Sequence, residues 1–345
     1  MKHTFQKWVV ALVFLMPTLV QAQFSQDTRT VTNRGTTAAE FLTIPVGARA
    51  TAMGNAITAQ VDDASAIYWN PAGLAGVTEM GVSFESAKWL STMDMNFGTY
   101  VMPAAGGTLG VGITSLRSPE MEVRTVEEQN GTGETFNAAS FALSVAYARK
   151  LTNRFSIGGT AKVVNERIWH SSASGVALDI GTMFVTPFKG VRLGAAISNF
   201  GTKLQIAGDD LLITTDIDDN SNGNNESQRG NLRTDRFGMP LVMRIGLAGE
   251  LVKNSQTRVT LSVDALSPNN SEQFVNVGTE IGLLGDLFLI RAGYNELLLS
   301  DSIRGLNAGA GIRYRFGAMK LGIDYAYESF KYFAAVNRLS VSLKF

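Results

Sequence analysis

From about residue 80 to the C-terminus, apolar and polar residues alternate in blocks of about ten. Phe141, Leu143, Val145 and Tyr147 alternate with Ala and Ser. Met243, Ile245 and Leu247 alternate with Arg244, Gly246 and Ala248. Leu321, Ile323, Tyr325 and Tyr327 alternate with Gly322, Asp324 and Ala326. A period of two predicts strands with one apolar face and one face of Gly, Ser and charge. The longest uncharged stretch, Met95 to Leu116, is broken by Pro103-Ala-Ala-Gly-Gly107 and reads as a hairpin rather than a membrane helix.

Fourteen strands are predicted, near 80–88, 94–103, 107–116, 139–149, 154–166, 175–187, 189–199, 241–251, 257–265, 274–284, 286–294, 305–316, 318–327 and 336–345. Strands of about ten residues fit a tilted bilayer crossing, whereas globular strands average nearer five or six. The connections after even strands are short. Those after odd strands include 117–138 and 200–240. A soluble sandwich also alternates, but an even strand count with short turns at one end and long loops at the other predicts a closed antiparallel transmembrane β-barrel. Closure leaves no strand edge unpaired in hydrocarbon.

Composition narrows the function classes. Lys plus Arg and Asp plus Glu both number 30, charged residues are 17% and Gly reaches 35 of 345. Zero net charge argues against a nucleic-acid binder. There is no Cys and His occurs twice, which rules out thiolate or multi-His metal sites. Lys2 and Lys7, an apolar run from Trp8 to Leu19 and the small exit Val20-Gln21-Ala22 predict a cleaved signal peptide over 1–22. Removing it takes away two Lys and no acid, leaving 28 − 30 = −2.

Residues 39–79 do not alternate. Ala-rich spacing from Ala48 to Ala59 predicts a short helix, and Asp62 or Asp63 is placed to cap a second turn. Asn70-Pro71-Ala72-Gly73 suits a type I turn. A fourteen-strand barrel is too wide for its own side chains to fill. Residues 23–79 are therefore expected to be a partly helical N-terminal plug, and 80–345 the barrel.

Two runs in this region carry a resemblance. Phe41-Leu-Thr-Ile leads to Gly47-Ala-Arg49-Ala-Thr-Ala-Met53-Gly54. Asp62-Asp63-Ala-Ser then leads to Trp69-Asn70-Pro71-Ala72-Gly73. Together they resemble the PorV/PorQ family of Bacteroidota-type outer-membrane proteins, within the wider FadL-like barrels. The terminal Leu339-x-Val341-x-Leu343-x-Phe345 resembles the C-terminal signal by which bacterial barrels are assembled. The resemblance implies an outer-membrane location, translocon and cargo proteins as partners in type IX secretion and surface attachment, no enzymatic activity and no cofactor. The alternatives are a FadL-like transporter of small hydrophobic molecules and a barrel that only scaffolds other envelope proteins.

Arg49 is expected to pair with a wall carboxylate such as Asp179, Glu280 or Asp324, and the mixed lumen charges suit an ion-paired plug. The loop 200–240, with Asp216, Asp218, Asp219 and Glu226, is the expected partner surface. Asp218-x-Asn220-x-Asn222-Gly223 opens like a calcium loop but has Arg229 at the twelfth position, so a solvated loop is favoured. His170-Ser-Ser172 lacks an assignable third group for a triad. Trp69, Trp89 and Trp169 are candidates for plug or interface packing.

Overall fold

The structure, a computed structural model, describes residues 33–216 and 227–345. Among them, fourteen antiparallel strands close into a barrel. They are β1 Gly81–Lys88, β2 Asp94–Ala104, β3 Gly107–Arg117, β4 Ala138–Lys150, β5 Phe155–Ile168, β6 Ser171–Val185 and β7 Arg192–Gly201. The series continues with β8 Val242–Lys253, β9 Thr257–Pro268, β10 Phe274–Leu283, β11 Phe288–Leu297, β12 Arg304–Phe316, β13 Met319–Phe330 and β14 Val336–Lys344. Each pairs with its sequence neighbours, and β14 returns to β1 in the register Gly81↔Lys344 to Ala87↔Arg338. The expected signal peptide lies outside the described residues.

The alternation is what makes the wall. Val82, Phe84, Leu143, Val163, Ile180, Ile245 and Ile323 point outward and are exposed, whereas Glu85, Asp179, Asp264, Glu280, Arg291 and Arg338 point inward and are buried. An outward apolar belt with an inward polar face is the arrangement lipid requires. No helix among the described residues is long and apolar enough to cross a membrane.

The two ends of the cylinder differ. Turns after even strands are tight: Ala105 and Gly106 join β2 to β3, and Gly317 lies between β12 and β13. After odd strands, the connection from β3 to β4 carries the small pairing Met121–Glu122 with Thr135–Phe136. The one from β7 to β8 carries Leu212–Thr215 paired with Gln228–Asn231, and sets Ala207 and Gly208 beside the start of β6.

Helix in the N-terminal segment is limited to single turns, α1 Ala48–Ala52 and α2 Ala66–Trp69, with 3-10 turns at Glu40–Thr43 and Pro71–Gly76. The helix expected to run from Ala48 to Ala59 stops at Ala52, because Gly54 and Asn55 both take left-handed backbone conformations (φ 61° and 59°). The expected Asp cap is displaced too. Asp63 Oδ1 accepts from the Ser65 amide at 2.9 Å, two residues ahead, and Ser65 occupies the N-cap.

Candidate functional site

The N-terminal segment runs from one mouth of the cylinder to the other. At the long-loop mouth the Ala38 amide donates to Gly238 O at 2.9 Å and the Ala39 amide to Glu166 Oε2 at 2.9 Å. At the short-turn mouth Thr108 Oγ1 donates to Val77 O at 2.9 Å, and Lys320 Nζ reaches Glu79 at 2.6 Å. That hydrogen bond to Lys320 holds the Glu79 carboxyl below its ordinary value.

Between the mouths, apolar side chains hold the segment together. Phe41, Leu42, Val46, Ile57, Ile67 and Leu74 are buried in one cluster with Met95, Phe97 and Val101 of the wall. Each such burial contributes roughly 1.5–3 kcal/mol. Polar groups fix its path. Trp69 Nε1 donates to Val46 O at 2.9 Å, and the Tyr68 hydroxyl lies 2.9 Å from the carbonyls of Leu42 and Ile44. Asn70 Nδ2 donates to Thr58 O at 2.9 Å and to Thr182 O of β6 at 3.1 Å, while its Oδ1 accepts from Ala72 N. Asn70 thereby joins two turns of the segment and the wall. Pro71 starts the 3-10 turn, where its missing N–H costs nothing.

The wall is notched with glycine where the segment touches it, mostly through its backbone. A methyl group on Gly158 would strike the Pro71 carbonyl carbon at 2.5 Å, and one on Gly194 would strike Thr58 O at 2.5 Å. At Gly181 it would strike Asn70 Oδ1, at Gly278 Met53 O, at Gly293 the Gly54 amide and at Gly309 Ala52 Cβ. Gly73 fits against Val61 O in the same way within the segment. Gly47 has φ 87° as it enters α1. The high Gly content of the chain was the only sequence signal for these seats.

Charge completes the attachment. Arg49 Nη1 lies 2.7 Å from Asp62 Oδ1 and 2.9 Å from Asp63 Oδ2, and its Nε lies 3.2 Å from Glu280 Oε2 on β10. Burial works against the Arg49 charge, but Glu280, Asp62 and Asp63 outweigh it and raise its pKa well above the ordinary value. Burial would likewise push Asp63 up. Arg49 and the Ser65 hydrogen bond overcome that and hold its carboxyl at about 2. Of the three wall partners expected for Arg49, Glu280 is the one it meets. Asp324 is held by Arg291 and Arg313, both at 2.7 Å, and Asp179 by Lys162 at 2.6 Å. Sequence reasoning counted Asp264 among the lumen charges but missed its role: its Oδ2 accepts from the Ile57 and Thr58 amides at 2.8 Å each. It also missed Asn307, which donates to Thr51 O at 2.6 Å.

The other expected site residues lie elsewhere. Asp216 borders the end of the described part of its loop, and Asp218, Asp219 and Glu226 lie outside the described residues, as does the calcium-like run. Leu343 pairs across both seams of β14, with Val82 and Leu321, and the Phe345 amide donates to Met80 O at 2.9 Å. His170 Nδ1 lies 3.1 Å from Asp210 Oδ1, and Ser171 Oγ donates to Asp210 Oδ2 at 2.9 Å. Both side chains converge on one carboxylate, while Ser172, the serine of the His-x-Ser run, lies in register with Arg167 and Ala207 on the neighbouring strands. Trp69 and Trp89 are buried, and Trp169 packs on His170 with ring centres 4.5 Å apart.

Two cavities flank the segment. One of about 210 Å³ at the short-turn mouth is lined by Arg49, Asp62, Asp63, Glu79, Arg313 and Lys344. One of about 460 Å³ at the long-loop mouth is lined more by apolar groups, among them Trp69, Leu266, Phe274 and Ile303.

Among curated proteins none matches the chain. Several solved structures share its fold. The Pseudomonas putida toluene transporter TodX superposes with TM-score 0.54 at 12% identity, covering 87% of this chain and 97% of its own. The CymD monoaromatic hydrocarbon channel superposes with TM-score 0.56 at 13%, covering 87% and 96%. A Pseudomonas aeruginosa FadL homologue superposes with TM-score 0.52 at 11%, covering 88% and 98%. The family model described as type IX secretion system protein PorV matches residues 24–218, more than half of the chain and all of the described N-terminal segment. This chain therefore belongs to the PorV family, as an outer-membrane, multi-pass β-barrel of FadL-like fold.

Proposed function

We propose that this barrel acts in type IX secretion by binding, presenting its long-loop mouth on the cell surface to translocon and cargo proteins, without bond-making chemistry. In this reading residues 23–79 are a fixed plug. Its motif residues Gly47, Arg49, Met53, Gly54, Asp62, Asp63, Trp69, Asn70, Pro71 and Gly73 shape it and lock it in the lumen. Leu343 and Phe345 serve barrel assembly, and the connection 200–240, with Asp216, Asp218, Asp219 and Glu226, is the partner surface. The observation that carries the reading is the glycine-notched wall. A segment seated by backbone contact with several strands suits a permanent filling better than a hatch that swings. The test is deletion of 207–230 in the tagged chain, followed by gentle extraction and mass spectrometry. Loss of co-purifying partners from a barrel that still folds is expected, and unchanged capture would remove the loop from the proposal.

A FadL-like transport role is the second reading, favoured by the apolar cavity at the long-loop mouth. Tethering the segment through an Ala52→Cys and Ala326→Cys pair should then block uptake of a hydrophobic solute, since these residues are buried together. Undiminished uptake in the oxidised form would dismiss that role.

A further inference from the structure

Charge is spread unevenly around the short-turn mouth. On one arc the cations are spent on acids. Arg258 meets Asp286 at 3.1 Å, Arg313 meets Asp324 at 2.7 Å, Lys320 meets Glu79 at 2.6 Å and Lys253 meets Glu250 at 2.8 Å. Two neighbouring turns on the other arc carry cations alone. Arg149 and Lys150 end β4, Arg154 lies in the turn that follows, and Lys189 lies in the turn after β6. All four are exposed. Residues 149–155 and 186–191 contain no acid, and none of the four cations forms an ion pair among the described residues.

The strand pairing sets these two turns side by side. β5 and β6 pair up to Phe155↔Phe184, and the Val185 amide donates to Arg154 O at 2.8 Å. The outer wall turns apolar directly beside them. Phe155 and Phe184 stand on the outward faces of β5 and β6, with Ile157 and Val163 further along β5. The apolar character continues into the turns themselves, where Leu151 and Phe188 are exposed, Phe188 at 70%. Lys189 Nζ lies 5.8 Å from the centre of the Phe188 ring.

We propose that these two turns and the wall beside them bind an anionic phospholipid of the leaflet at the short-turn mouth. Arg149, Lys150, Arg154 and Lys189 take the phosphodiester head group, and the acyl chains lie along Phe155 and Phe184. Unpaired cations at the rim of a lipid-facing surface match an anionic head group, and their long stems reach it while covering apolar wall. An acidic protein would meet the charges but not the outward rings below them, which face hydrocarbon. An amphiphile meets both across one boundary. The site is on the outer wall, so it holds for either role considered above for the barrel.

The experiment uses the full chain purified in a neutral detergent and native mass spectrometry of retained lipid. The probes are dioleoylphosphatidylglycerol and dioleoylphosphatidylcholine, which share their chains and differ in head-group charge. The wild type should retain the anionic lipid at least tenfold more tightly. Each cation removed should cost roughly fivefold, so the double variant R154Q/K189Q should bring the preference below twofold. R315Q removes an exposed cation from the other arc and should leave the preference unchanged. Heat-modifiable migration on gels shows that each variant is folded. Equal retention of the two lipids by the wild type, or an unchanged preference in folded R154Q/K189Q, would overturn the site. So would an equal loss in R315Q, which would mean attraction to the whole rim. Capture of polyglutamate by a wild type indifferent to the two lipids would reassign the cations to an acidic protein.

Discussion

Arg49 Nε and Glu280 Oε2 lie 3.2 Å apart, one on the first helical turn of the N-terminal segment and the other on β10 of the wall. Glu280 is 1% exposed and is also approached by Arg258 and Arg291. Removing one partner of a buried pair is more damaging than removing both, because the survivor keeps its desolvated charge. Arg49→Ala should therefore destabilise the barrel by about 2 kcal/mol, below the usual cost because Glu280 keeps two cations. Glu280→Ala should cost more, since it takes the shared buried carboxylate from three arginines and leaves Arg49 with Asp62 and Asp63, Arg258 with Asp286 and Arg291 with Asp324. Thermal midpoints from heat-modifiability gels check the order. Equal midpoints in wild type and R49A would deny the link.

The same arginine sets an acid dependence. The Asp63 carboxyl is held at about 2 in the folded chain, below its ordinary value near 3.8. A depressed pKa gives stability that is fully present above the unfolded value and is lost as pH falls toward the folded one. The stability difference between wild type and Asp63→Asn should thus be constant from neutrality to about pH 4 and shrink between there and about pH 2. A difference that begins to close near pH 6 would point to a group other than Asp63.

Gly158 and Gly159 make an internal control. A methyl on Gly158 meets the Pro71 carbonyl carbon at 2.5 Å, whereas one on Gly159 meets only Asp179 O at 3.6 Å. Gly158→Ala should cost about 3 kcal/mol through overpacking against backbone, and Gly159→Ala should fall within about 0.5 kcal/mol of wild type. Protease accessibility of residues 33–79 in G158A shows whether the segment is expelled.

Ile180 is 60% exposed at the middle of β6, next to buried Asp179. In a bilayer, Ile180→Arg should destabilise by about 2–4 kcal/mol, as for a charge at the midplane of a lipid-facing strand. Denaturant titration of the folded protein in vesicles measures this. A neutral outcome would place Ile180 outside the hydrocarbon.

The barrel was legible because lipid enforces a strict rule. Every wall strand alternates, so Leu143, Ile245 and Ile323 fall on the outer face without exception, and all fourteen strands appear where the period predicts them. The pairing of Arg49 with Glu280 was legible as one of three options, since an arginine among alanines needs a carboxylate from somewhere. The N-terminal segment was less readable. Its turns obey the wall rather than local propensity, as when Gly54 and Asn55 end the helix to seat Met53 O on Gly278. Asp264 was hidden for a related reason. Its work is to accept two backbone amides, and no side-chain spacing announces that.

The path of residues 33–79 bears on how the molecule can be made. The segment leaves the short-turn mouth at Met80 and becomes β1 at once, and β1 is the strand that β14 must find to seal the cylinder. First and last parts of the wall therefore meet beside the thread they enclose. The notches of Gly158, Gly181 and Gly278 that seat the thread face the lumen which that seam closes. Thread and seam are therefore joined at Met80, where the one passes directly into the other.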